Sequence, residues 1–181
     1  MQTSRGAGST TTLLAIVLAA GCRSQPPFRD PFTRPQIDWR PSLVLDVGEA
    51  GRILGNHSRL EKVTAYAENG TTVYQSAFRD DWLDPDTGKT GILYYMYEDY
   101  PSADAARSFL VSTLKANHIE PGDGIRVRGG AELHYLRGGE VIRMVMILKE
   151  NHLIRLKVNQ LTSRYSLAEF KNVAEALANR L

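Results

Sequence analysis

The sequence predicts an α+β fold, an antiparallel sheet of about seven strands with flanking helices that include an amphipathic C-terminal helix. Three observations support this class. Short segments rich in β-branched and aromatic residues recur between turn residues, as expected for strands. Segment 141–148 is apolar on both sides apart from Arg143, which is typical of a strand covered on both faces. Segment 153–159 alternates apolar and basic residues, which is typical of a strand with one covered face.

Seven segments have strand character, and residues that favour turns separate them. They cover residues 63–67, 72–78, 92–97, 125–128, 132–137, 141–148 and 153–159. Asn69-Gly70 is the strongest short hairpin signal and should join the first two strands. We see no internal repeat.

Caps and apolar spacing predict three helices. Asp46 with Glu49 three residues later is a capping box and should open a short helix that ends near residue 54. Ser102 should cap a second helix with one apolar face. Ser166 with Glu169 is a second capping box and should open the C-terminal helix. The apolar face of that last helix contains Phe170, Val173, Ala174, Leu177 and Leu181.

The N-terminal segment has the composition of an export signal. Residues 13–20 are apolar, a run too short for a bilayer, which needs about 20 residues, but suited to a secretory signal peptide. The run ends in Leu18-Ala19-Ala20-Gly21-Cys22, and Cys22 is the only cysteine of the chain. This motif resembles the lipobox of bacterial lipoproteins. The resemblance implies cleavage before Cys22 and acylation of its sulfur, and two or three acyl chains hold a protein firmly on a membrane.

We expect three parts in the chain. The lipobox resemblance implies a signal peptide over residues 1–21 and a lipidated cysteine at position 22. The prolines that follow predict a spacer to residue 41, and the pattern of elements predicts a single globular α+β domain over residues 42–181. Cleavage without acylation would instead release a soluble exported protein. Arg23 and Ser24 lack the aspartate that retains such lipoproteins in an inner membrane. In a cell with two membranes, the resemblance therefore implies the outer membrane, facing the periplasm.

The net charge of the chain argues against nucleic acid as a partner of the domain. The net charge of +2 over 181 residues is too small to indicate nucleic acid, which usually requires a strongly basic face. The order of elements across residues 60–181 is loosely similar to Mog1/PsbP-like domains, which often serve as non-catalytic binding or assembly modules. That similarity carries no sequence motif, so it assigns no functional residue.

The motifs of common catalytic sites are incomplete. The segment Thr87-Gly88-Lys89-Thr90 has Leu83 where a phosphate loop needs glycine, and a strand rather than a helix should follow it. No serine stands in a Gly-x-Ser-x-Gly motif. We therefore predict no catalytic residue and no cofactor. An envelope enzyme whose site is dispersed along the sequence stays open as the alternative.

The acidic and histidine residues give no complete metal motif. Asp84, Asp86 and Gly88 have part of the spacing of a calcium loop, but Tyr95 occupies the position of its glutamate. The four histidines, at positions 57, 118, 134 and 152, are not spaced as a ligand pair on one helical turn. We predict no metal site, and a solvated acidic loop over residues 80–86.

Two groups of side chains are candidates for binding. Arg126, Arg128, Arg155 and Lys157 point outward by alternation on two predicted strands, and would form an anion-binding face if those strands are neighbours. Such a face could meet lipid phosphates, lipopolysaccharide or an acidic envelope protein, whereas a solvated sheet face is the other interpretation. A second group could line a groove or simply pack: Tyr94, Tyr95, Tyr97 and Tyr100. The sequence thus favours a lipid-anchored, non-catalytic binding or assembly module.

Overall fold

The computed structural model describes residues 43–55 and 58–181, so the predicted signal peptide, Cys22, the spacer and His57 lie outside the described residues. The described chain has the predicted α+β architecture, with one seven-stranded antiparallel sheet and three helices. The helices are α1 (Val47–Leu54), α2 (Ala103–Ala116) and α3 (Leu167–Arg180). The strands are β1 (Ser58–Glu68), β2 (Thr71–Leu83), β3 (Thr90–Asp99), β4 (Ile125–Arg126), β5 (Glu132–Gly138), β6 (Val141–Lys149) and β7 (His152–Gln160).

The sheet joins two antiparallel meanders through β3 and β7, in the order β1-β2-β3-β7-β6-β5-β4. Helix α2 connects the first meander to the second. The predicted hairpin at Asn69-Gly70 is confirmed, because both residues have the positive φ values, 50° and 78°, that a type I′ turn requires. The β1–β2 hairpin that it closes forms one edge of the sheet, and the two-residue strand β4 forms the other.

One face of the sheet packs against α1 and α3 and forms the larger core. Phe170 and Leu177 of α3 are fully buried there, as the predicted apolar face of the C-terminal helix requires. Tyr95 of β3 is also fully buried, and its hydroxyl donates a hydrogen bond to the Leu43 carbonyl. Burial raises the pKa of Tyr95 well above its usual value, so this hydroxyl stays protonated and acts as a donor.

The opposite face is covered only in part. Helix α2 packs on the second meander and closes a smaller core of Ala106, Leu110, Leu114, Leu136, Met146, Leu148 and Leu153. Residues 145–148 of β6 are buried on both faces, which confirms that part of the prediction for segment 141–148, whereas residues 141–144 are partly or fully exposed. No described helix packs on this face of the first meander, so the side chains of β1, β2 and β3 on that face stay accessible in part.

Two of the predicted helix caps form as expected, and the third forms in part. Asp46 and Glu49 form the complete reciprocal capping box of α1. Ser102 accepts the backbone N–H of Ala105 at the start of α2. Ser166 accepts the backbone N–H of Glu169, but the reciprocal half of that box is replaced because the Glu169 carboxylate contacts Arg52 Nε at 3.2 Å. The side chain therefore links α3 to α1 instead of closing its own cap.

Candidate functional site

The four basic side chains predicted to share one face do not lie together. Strand β4 is three strands away from β7, a separation of about 14 Å at the usual strand spacing. Arg128 lies in a turn, since β4 ends at Arg126. Helix α2 covers the intervening strands β5 and β6. The condition for a common basic face, neighbouring strands, is therefore not met.

Arg155 belongs to a structural ion pair under α2. Its Nη2 atom lies 2.7 Å from Glu98 Oε1 on the neighbouring strand β3, and its guanidinium lies 5.1 Å from the centre of the Phe109 ring of α2. Burial raises the pKa of Glu98, and the charge and hydrogen bond of Arg155 oppose that increase. Arg155 thus stabilises a buried carboxylate, and its charge is already compensated within the fold.

Lys157, two residues further along β7, is exposed and lies on the part of the sheet that α2 leaves uncovered. It stands directly opposite Tyr94 of β3, which stands opposite Ala77 of β2, which stands opposite Lys62 of β1. Directly opposed residues project on the same face of a sheet, so these four side chains form a row across four strands. We call this row, with Thr64 and Gln75 beside it, the open face.

The open face contains a cleft of about 340 Å³. Residues of the first meander line it: Glu61, Lys62, Thr64, Gln75, Ser76, Ala77 and Tyr94. The Ser76 side chain is buried on the opposite face, beside Tyr95. Lys62, Thr64, Gln75 and Tyr94 offer hydrogen-bond donors to the cleft, as an amine, a hydroxyl, an amide and a phenol. A ligand rich in hydrogen-bond acceptors would match this lining.

The charge of the open face is positive. Glu61 is the acidic residue of the lining, and its carboxylate is paired with Arg79 Nε at 2.8 Å. Lys62 and Lys157 form no ion pair with any described residue. Two uncompensated amines on opposite sides of Tyr94 therefore give this surface a positive electrostatic potential.

Of the four tyrosines predicted to line a groove, only Tyr94 lines the cleft. Tyr95 and Tyr97 point into the core on the opposite face, where the Tyr97 hydroxyl lies 2.9 Å from His152 Nδ1. Tyr100 packs against Phe109 of α2, with ring centres 5.8 Å apart. Alternation along β3 explains why Tyr95 points away from the cleft that Tyr94 lines, because neighbouring residues of a strand project on opposite faces.

A buried polar cluster lies beneath the loop before β4, and sequence analysis missed it. His134 Nε2 lies 2.5 Å from Glu132 Oε1, and Arg107 Nη2 donates to Glu132 Oε2 at 2.8 Å. Burial acts to raise the pKa of Glu132, but the hydrogen bonds from Arg107 and His134 hold it below its usual value. A Cβ atom on Gly124 would come within 2.6 Å of the imidazole, so the loop lies directly on His134. The side chains of His134 and Glu132 are 1% and 10% exposed, so the loop shields this pair from solvent.

The prediction of a solvated acidic loop over residues 80–86 is wrong for Asp80 and Asp84, which are buried and accept backbone N–H groups. Asp84 is fully buried and accepts the backbone N–H groups of Asp86 and Ser163, at 2.9 and 2.7 Å. The hydrogen bond from Ser163 is the largest influence on the pKa of Asp84, which lies below its usual value. Among the described residues, no three His, Cys, Asp or Glu side chains are grouped to hold a metal ion. The Gly88-Lys89 segment joins two strands, so the strand-to-helix arrangement of a phosphate loop does not occur there.

Comparisons with models of protein families, with curated proteins and with solved structures found no match to this chain. Within residues 43–55 and 58–181, no helix is both long and apolar enough to cross a membrane.

Proposed function

We propose that this chain is a lipid-anchored protein of the cell envelope whose domain binds phosphate-bearing lipid headgroups on the open face. One observation carries the binding part of the proposal, the row from Lys62 to Lys157 on an uncovered half of the sheet. The lipobox at Cys22 supports the anchor, and in a cell with two membranes it favours the outer membrane facing the periplasm.

Phosphate suits the open face for two physical reasons. Each lysine amine carries three donors on a flexible stem, and amines bind phosphate as point charges. Lysines near an anionic membrane surface each contribute about 1 kcal/mol of attraction. A tethered domain is also held close to such headgroups, so even a weak site would be occupied.

Binding is favoured over catalysis by the composition of the cleft. General acid–base catalysis needs a titratable group within hydrogen-bond reach of the substrate. The acidic group of the lining, Glu61, is engaged with Arg79, and the Glu132–His134 pair is sealed beneath a loop. Lys62 and Tyr94 are also titratable, but the lining offers them no carboxylate or imidazole other than the Glu61 carboxylate already paired with Arg79.

The anchor is tested by metabolic labelling with a clickable fatty acid. The native chain should carry the label and fractionate with membranes, whereas Cys22→Ser should lose both the label and the membrane association. Labelling that survives Cys22→Ser would refute acylation at this residue.

The ligand class is tested by co-sedimentation of the chain lacking residues 1–22 with vesicles. Vesicles that contain phosphatidylglycerol should pellet the protein at low salt and release it as salt rises, because exposed charges interact over about 8 Å at physiological ionic strength. Vesicles of phosphatidylcholine alone should not pellet it. Equal binding to both kinds of vesicle, or binding that salt does not weaken, would contradict an electrostatic headgroup site.

A further inference from the structure

Strand β1 presents a long edge to which no described strand is hydrogen-bonded. It runs for 11 residues at one end of the sheet, whereas the strand at the other end, β4, has two. Exposed edges of this length are usually protected, because their open N–H and C=O groups can pair with a strand from another chain. Segment 63–67 of β1, between Lys62 and Glu68, is uncharged.

The register of β1 with β2 is regular from Lys62 to Glu68, the part of the strand available for pairing. Its register with β2 shifts between Leu60 and Lys62 and then continues without interruption from Lys62 to Glu68. Helix α1 contacts the other end of the strand, where the Ser58 hydroxyl donates to the Val47 carbonyl at 2.8 Å. Tyr66, on the regular part, is 40% exposed. The seven-residue stretch is therefore regular in register and partly accessible, as a strand that accepts another strand must be.

We propose that β1 pairs with β1 of a second copy of this chain, antiparallel and centred on Ala65. In that register, Lys62 of each copy stands opposite Glu68 of the other, and Thr64 stands opposite Tyr66. Neither Lys62 nor Glu68 forms an ion pair within the described chain, so both charges are available to the second copy. Opposite charges and aromatic–β-branched pairs are the favourable cross-strand pairs of antiparallel sheets.

The charge pattern selects this register over its neighbours. The two-fold axis of a symmetric antiparallel pair is perpendicular to the sheet, and directly opposed residues project on the same face. The axis must therefore pass midway between one residue and its own copy. An axis at Thr64 places Lys62 opposite Tyr66, and an axis at Tyr66 places Glu68 opposite Thr64. Only the axis at Ala65 pairs the two opposite charges, and it pairs them twice because the interface is symmetric. The dimer would join two sheets of seven strands into one continuous sheet.

The dimer also places the open faces of both copies side by side. Lys62 and Thr64 line the cleft, and they stand next to Glu68 and Tyr66 of the second copy in the proposed register. Two open faces on one side of a continuous sheet could contact the same surface at the same time. In the dimer Lys62 would pair with Glu68 of the second copy, so the unpaired positive charge of each open face would come from Lys157.

Disulfide trapping tests the register directly in cells that express the full chain. Cys22→Ser is made first, so that an introduced thiol is the only one in the chain. Ala65→Cys should give a covalent dimer under mild oxidation, because residues opposed on the axis have Cα atoms about 4.5–5.5 Å apart, within the range of a disulfide. Ala67→Cys is the matched control on the same strand and face. Its two copies are displaced by about 14 Å along the strands and should give about tenfold less dimer.

Charge reversal tests the pairing itself. Glu68→Lys should lower the yield of the Ala65→Cys dimer about tenfold, because like charges then stand opposite each other twice. The double variant with Lys62→Glu and Glu68→Lys should restore the yield of dimer.

Sedimentation covers the case in which Ala65→Cys fails to fold. The Cys22→Ser chain without introduced thiols should sediment as a dimer, and Glu68→Lys should shift it toward monomer. Equal trapping at positions 65 and 67, or a monomer that Glu68→Lys does not change, would overturn the dimer. Neither result would bear on acylation or vesicle binding.

Discussion

Replacing Arg155 by methionine should destabilise the domain, although the sequence pattern places this residue on a solvated face. Its partner Glu98 has a side chain only 6% exposed, and Arg155 itself is 26% exposed. Removing one member of a buried ion pair leaves an uncompensated charge and costs about 3–5 kcal/mol. The contact with the Phe109 ring adds about 0.5–2 kcal/mol to the loss, since the guanidinium is partly desolvated.

The loss of stability should depend on pH in a direction that identifies its cause. Burial raises the pKa of Glu98 in the folded state, and Arg155 opposes that increase. Without Arg155, the folded-state pKa rises further, while the unfolded value stays near 4.3. The folded variant then binds a proton more readily than the unfolded chain, so its stability falls as pH rises from the unfolded to the folded pKa. Arg155→Met should therefore be closer to the native chain at pH 5 than at pH 7.

Urea denaturation at pH 5 and pH 7 gives the free energy of unfolding of Arg155→Met and of the native chain, and so tests this prediction. Glu98→Gln combined with Arg155→Met should recover most of the loss and remove the added pH dependence, because no buried charge remains. Lys157→Met is the matched control. It removes a lysine two positions along the same strand that is exposed, and should change the free energy of unfolding by less than about 0.5 kcal/mol. A change of that small size for Arg155→Met as well would refute the structural role assigned to the pair.

Three further substitutions test other parts of the fold. Phe170→Ala should lower the free energy of unfolding by about 3–5 kcal/mol, because the ring is fully buried under the sheet, and a urea midpoint equal to that of the native chain would contradict this. Gly124→Ala should cost about 1–3 kcal/mol, since its methyl group would lie 2.6 Å from the His134 ring, while Gly122→Ala, with nothing within 4 Å, should be tolerated in the same assay. The low pKa of Asp84 contributes stability that is present above its unfolded value of about 3.9 and is lost as pH falls through the folded value. Asp84→Asn should therefore flatten the acid limb of the stability curve measured by thermal melts.

The sequence predicted those local features that depend only on residues close together in the chain. The hairpin at Asn69-Gly70 and the capping box of Asp46 and Glu49 depend on residues within one turn, so the pattern alone determines them. The alternation in β7 also held for its buried side, where Ile154 and Leu156 are fully covered. Such features depend little on the rest of the chain.

Features that depend on the order of strands could not be predicted in the same way. Arg126 and Arg155 were grouped because both alternate outward, but alternation does not say which strands are neighbours. The burial of Arg155 depends on Phe109, which lies on a helix 46 positions earlier in the chain. The row from Lys62 to Lys157 likewise forms only because β7 pairs with β3. The candidate site is thus a product of the topology.

The headgroup site on the open face is tested most directly by comparing two double variants in co-sedimentation with phosphatidylglycerol vesicles. Lys62→Ala with Lys157→Ala removes two charges from the open face, and Arg126→Ala with Arg128→Ala removes two exposed charges from the far edge. At about 1 kcal/mol for each cation at an anionic surface, the lysine pair should weaken binding roughly 30-fold. The arginine pair should leave it within about twofold of the native chain. Equal weakening by both pairs would mean that net charge alone attracts the vesicles, and would contradict a site on the open face.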